Sequence, residues 1–143
     1  METQRIIFEM TKKELSLLKE FLKVLKEERD SIISFSLEGI VRENNRKEEL
    51  LKKIEFLENE KEKIMSDVPD RDSILKGEGW ETLSGDVVRT MSEVNVAMEK
   101  NVKLLSFSMD HVRSSVENIV GFINKATYGR KQQVLSYFPA RHV

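Results

Sequence analysis

Apolar residues recur every three or four positions along two long stretches of the chain, and a polar, turn-forming segment separates them. Thr11-Lys12-Lys13-Glu14 opens the first stretch with the form of a capping box, in which Thr11 accepts from the Glu14 amide and Glu14 reaches back. Leu15, Leu18, Leu22 and Leu25 follow at heptad spacing, and the stripe continues through Ile32 or Ile33, Leu37, Ile40 and Val41. Asn44 and Lys47 take the next seam positions before Leu51, Ile54, Leu57 and Ile64 resume it. Polar residues in such a seam fix register at some cost in stability, or they contact a partner. Between Leu25 and Leu37 the repeat slips as at a coiled-coil stutter. The pattern predicts one helix over 12–65, with Gly39 a weak internal point.

Segment 66–84 is the predicted connector. Pro69 cannot sit inside a helix, and Asp67, Asp70 and Asp72 are turn and N-cap types. A short helix over Asp70–Lys76, ended by Gly77, fits this chemistry, and Trp80 caps the end of the helix pair. The second stretch carries Val87, Met91, Val94, Met98, Val102, Leu105, Met109, Val112, Val116, Ile119 and Ile123 on one face. It predicts a helix over about 85–127, stopped by Tyr128-Gly129. Residues 128–143 read as a mobile tail with an apolar knot, Val134, Leu135, Tyr137 and Phe138.

The expected fold is all-α, a single elongated antiparallel hairpin of two long helices with a short irregular or helical connector. Two helices bury only one seam. Phe35, Phe56 and Phe107 fall off both stripes, so further cover is expected from a homodimer, a third short helix or a client protein.

Composition narrows the partners. Charged residues make up 34% of the chain against about 25% in typical domains, which suits solvated helices. Pairs such as Glu43 with Lys47 and Glu48 with Lys52 read as a solvated face. A net charge of -1 gives no basis for nucleic-acid binding. No apolar run reaches the roughly 18 residues of a membrane span, and Met1–Met10 lacks a signal-peptide core. With no cysteine and no such segment, the expectation is a cytoplasmic protein without membrane insertion.

No catalytic, cofactor or metal constellation emerges. His111 and His142 stand alone, no Glu-x-x-His occurs, and Ser106, Ser108, Ser114 and Ser115 have no base at hand. Gly77-Glu78-Gly79 follows no strand and is not a phosphate loop. The expectation is a protein that binds other proteins and is not an enzyme.

Two segments resemble a known family. They are Lys47-x-x-Leu50-Leu51-x-x-Ile54-x-x-Leu57-x-x-x-Lys61, and Asn101-x-x-Leu104-Leu105-x-x-Ser108 followed by Val112, Ile119 and Tyr128-Gly129. With the length and the two long helices, the chain resembles the FlgN family of flagellar type III export chaperones. That resemblance implies a cytoplasmic chaperone that binds the C-terminal helical segments of hook-associated proteins 1 and 3 (FlgK and FlgL). It would hold them unassembled and deliver them to the export apparatus. It places client binding at Asn101, Leu104, Leu105, Ser108, Val112, Val116, Ile119 and Ile123. It places docking on the export gate protein FlhA at Tyr128 and Gly129. After that dipeptide the chain departs from the family pattern: Arg130-Lys131-Gln132 stand where many members have a second glycine. The physics of the stripe suits such a role, because Met91, Met98 and Met109 make it adaptable and a client helix docks through i, i+3, i+4 and i+7 anchors. The alternative is a self-associating coiled-coil scaffold, whose seam would be filled by its own heptads.

Overall fold

The computed structural model describes residues 2–126 and is all-helical over them. The elements are α1 (Glu2–Ile33), α2 (Leu37–Ser66), the single turn α3 (Arg71–Ile74) and α4 (Trp80–Ala126). The chain forms two compact units, residues 1–102 and residues 103–143.

The helix expected over 12–65 is two helices, and the break falls where the heptads slip. Phe35 takes φ 56°, the left-handed conformation. Around it the Ser36 amide donates to Ser31 O (2.8 Å) and the Phe35 amide to Ile32 O (3.1 Å), which is a complete Schellman ending for α1. Ser36 then caps α2 by accepting from the Gly39 amide at 3.1 Å. Two capping motifs placed back to back turn the chain, so the slip is a corner and not a stutter. Gly39 packs directly against Ser31 of α1; a methyl group there would collide with Ser31 Oγ. The left-handed conformation is awkward for phenylalanine, and Phe35 is 60% exposed, so it gains little packing in return. Phe35→Gly is therefore expected to raise stability by about 1 kcal/mol, read from the urea midpoint at unchanged slope.

The N-terminus of α1 differs as well. Thr11 is interior to the helix, and its hydroxyl donates to Ile7 O at 2.8 Å instead of capping. Glu2–Met10 contains no breaker, and buried Ile7 extends the inward stripe one turn further back.

In the first unit, α2 runs antiparallel to α1. Ser31 meets Glu43, Glu28 meets Lys47, and Glu14 meets Lys61. Residues 80–102 of α4 run parallel to α1: the rings of Phe8 and Trp80 lie 6.4 Å apart, and further along Asn101 reaches Leu25. Helix α1 is thus central and buries two adjacent rows, Leu17 with Leu18, Val24 with Leu25, and Ser31 with Ile32. Leu17, Phe21, Val24, Leu25, Leu50 and Val94 form the core, with Leu22, Ile54, Leu57 and Ala97 packed against it. Burying Phe21 alone contributes about 2–3 kcal/mol. The two long helices of the sequence reading are therefore three, and the tightest hairpin lies inside what read as the first.

The corner resets the register of α2. Leu50 is buried and its neighbour Leu51 is 45% exposed, while Leu37 and Val41 point to solvent. Off the stripes, Phe35 and Phe56 are exposed. The short helix expected over Asp70–Lys76 is the turn Arg71–Ile74, with Asp70 at its N-cap.

Candidate partner-binding face

Chemistry that could bind a partner concentrates in the second unit, of which Lys103–Ala126 is described. Leu105, Met109, Val112, Val116, Ile119 and Ile123 recur at alternating steps of four and three, which puts them on one stripe of the helix. Met109 (58%), Val112 (47%), Val116 (46%) and Ile119 (58%) are open to solvent, and Leu105 lies at the margin. Beside the stripe, Leu104 and Ser108 are half-buried, as is Ile123 at its far end. Phe107 and Phe122 are exposed on other sides. Phe107 is one of the off-stripe aromatics for which the sequence predicts cover, and Phe122 is a further off-stripe aromatic.

Five exposed aliphatic and thioether side chains in a row leave several hundred Å² of apolar surface in water, of the order seen at functional patches. The stretch is also lightly charged. Only Lys103, Asp110, Arg113, Glu117 and Lys125 carry full charge between Lys103 and Ala126, against the dense Glu and Lys of α2. A surface with few charges loses little hydration energy when covered. Such a face can hold an amphipathic helix, and Met109 lets it adjust to the side chains it meets.

The structure separates Asn101 from this group. Its amide nitrogen donates to Leu25 O at 2.8 Å and to Glu28 Oε1 at 3.0 Å, and the residue is 5% exposed in the first unit. Glu28 in turn holds Lys47 Nζ at 2.7 Å. Asn101 is thereby committed to joining α4 to α1. Sequence alone could not reveal this, because the asparagine stands one residue before Val102 of the traced stripe. The upper part of that stripe divides in the same way. Val94 is buried and Val87 half-buried, while Met91, Met98 and Val102 are exposed. The inward row is instead Leu83, Val87, Thr90, Val94, Ala97 and Asn101. Tyr128 and Gly129, together with the apolar knot of the tail, lie outside the described residues.

Among the described residues, no helix is long and apolar enough to cross a membrane, and no group of three or more His, Asp or Glu could hold a metal ion. The family model described as FlgN protein matches residues 1–136. No curated protein and no solved structure matches the chain.

Proposed function

The chain belongs to the FlgN family of flagellar export chaperones, and on that premise we propose that the exposed stripe of Lys103–Ala126 holds its clients. The clients proposed are the C-terminal helical segments of the hook-associated proteins FlgK and FlgL. Bound there in the cytoplasm, such a segment is ordered and its own apolar face is covered, so it cannot nucleate assembly before export. Leu104, Leu105, Ser108, Val112, Val116, Ile119 and Ile123 form the contact surface, with Met109 and Phe107 added by their exposure. Tyr128 and Gly129 are retained as the proposed contact with FlhA, through which the loaded chaperone reaches the export apparatus. The observation that carries this reading is the unbroken row from Leu105 to Ile119, which no described element covers.

The test is titration of the full chain with a labelled C-terminal segment of FlgK. Val116→Glu places a charge in the middle of the row, and its expected cost is at least tenfold in affinity at unchanged helicity. Glu48→Lys, on the exposed side of α2, is expected to leave affinity within twofold. Equal losses in the two variants, or none in either, would remove the face from client binding.

A further inference from the structure

The first unit has a concave surface that shares no residue with the stripe of Lys103–Ala126. Between α1 and α4 lies an open groove of about 380 Å³. Leu22, Leu25, Val96 and Ala97 make its apolar part, and Lys26, Arg29 and Lys100 stand around it with Glu93 as the single carboxylate. The groove exists because Ala97 occupies an inward position of α4 where the rest of that row is larger, so the two helices leave a gap beside Leu22. Its floor is continuous with the core, since Leu22 and Ala97 both pack on it. A side chain entering the groove would therefore meet the interior itself.

The charges decide what fits. No carboxylate of the described residues is paired with Lys26, Arg29 or Lys100, although carboxylates pair with many other cations of this chain. A rim with three cations and one anion attracts an acidic ligand and repels a basic one. This argues against the chain's own tail, whose only charged side chains of fixed sign are Arg130, Lys131 and Arg141. It also argues against a second copy docking through α2, where acidic residues alternate with Lys52, Lys53, Lys61 and Lys63.

We propose that this groove is a docking site for an acidic amphipathic peptide segment of another protein. One or two apolar side chains enter between Leu22 and Val96, and flanking Asp or Glu residues meet Lys26, Arg29 and Lys100. The site shares no residue with the client face, so it stands or falls independently of that assignment.

A library of helix-forming 16-residue peptides panned against the full-length chain tests it. Enriched sequences are expected to carry two apolar residues four apart with acidic flanks. A synthesised winner should bind Lys26→Glu/Arg29→Glu/Lys100→Glu at least tenfold more weakly than the wild type. It should also lose affinity for Val96→Gln, which removes apolar floor without adding charge. Its affinity should rise as salt is lowered, and Val116→Glu should bind it normally. Winners with no acidic bias, or with full affinity for the triple variant, would overturn the proposal. So would winners lost in Val116→Glu, or a homodimer in light scattering that the triple variant abolishes. Circular dichroism of each variant distinguishes loss of the groove from loss of the fold.

Discussion

Lys47→Met is expected to lower the stability of the chain by about 3 kcal/mol, measured by urea unfolding. Lys47 holds Glu28 at 2.7 Å, and both side chains are largely buried, with 19% and 10% of their surface accessible. Glu28 also accepts from Asn101, so three helices meet at one carboxylate. Methionine keeps most of the lysine stem and its packing, so the variant tests the charge and not the volume. With the ammonium gone, the carboxylate stays buried with only an amide for company, and an uncompensated buried charge of this kind costs several kcal/mol. Water reaches the lysine end, so the value belongs at the lower end of that range. Glu28→Gln/Lys47→Met should recover most of the loss, since glutamine keeps an acceptor for Asn101 and removes the orphaned charge. The coupling between the two sites is then at least 1 kcal/mol. A single-variant loss below about 0.5 kcal/mol would class the pair with ordinary surface bridges.

The fate of Lys47 shows what the sequence made legible. A lysine in an apolar seam reads as a register device, and the structure gives it a buried partner on the neighbouring helix. The all-helical class and the break near Pro69 followed from periodicity and turn chemistry. The corner at Ser34–Ser36 did not, because its left-handed residue is phenylalanine and no glycine marks the helix end. The slip between Leu25 and Leu37 was the available signal, and a stutter accounts for the same slip equally well. Without the corner, the count of helices and the inward side of α2 are lost together: the heptads point Leu51 inward, whereas Leu50 supplies the core. For the candidate face, Val112, Val116 and Ile119 were legible as a stripe. Which side of α4 meets the bundle was not, because Val, Met and Asn alternate on both sides of it up to Val102. A helix that is apolar on two edges does not declare which edge is buried until its neighbours are placed.

Thr11-x-x-Glu14, which has the spacing of a capping box, instead places a carboxylate inside the α1–α2 interface, and this makes stability depend on pH near neutrality. Glu14 is 3% exposed. Lys61 Nζ lies 3.3 Å from each of its oxygens and 3.4 Å from Thr11 Oγ1, yet Oε1 has no hydrogen bond. Burial pushes the Glu14 carboxyl up from 4.5 to about 7. A hydrogen bond shared with Glu58 and the charge of that residue add to the rise, and Lys61 opposes it. The folded state therefore holds the proton more tightly than the unfolded chain does. Glu14's contribution to stability is complete below about pH 4.5 and is lost as the pH rises through about 7. At 1.36 kcal/mol per pKa unit the whole loss is about 3 kcal/mol or a little more, of which between about 2 and 3 kcal/mol falls between pH 5 and pH 8. Glu14→Gln keeps the shape and an acceptor for Lys61 but cannot ionise. Its stability relative to the wild type should climb by that amount between pH 5 and pH 8, as measured by urea unfolding at each pH. Titrating groups that do not touch Glu14 act equally in both proteins and cancel in the difference. A difference that stays flat over this range would mean that Lys61 holds Glu14 ionised throughout, and the α1–α2 interface would then carry a fixed ion pair.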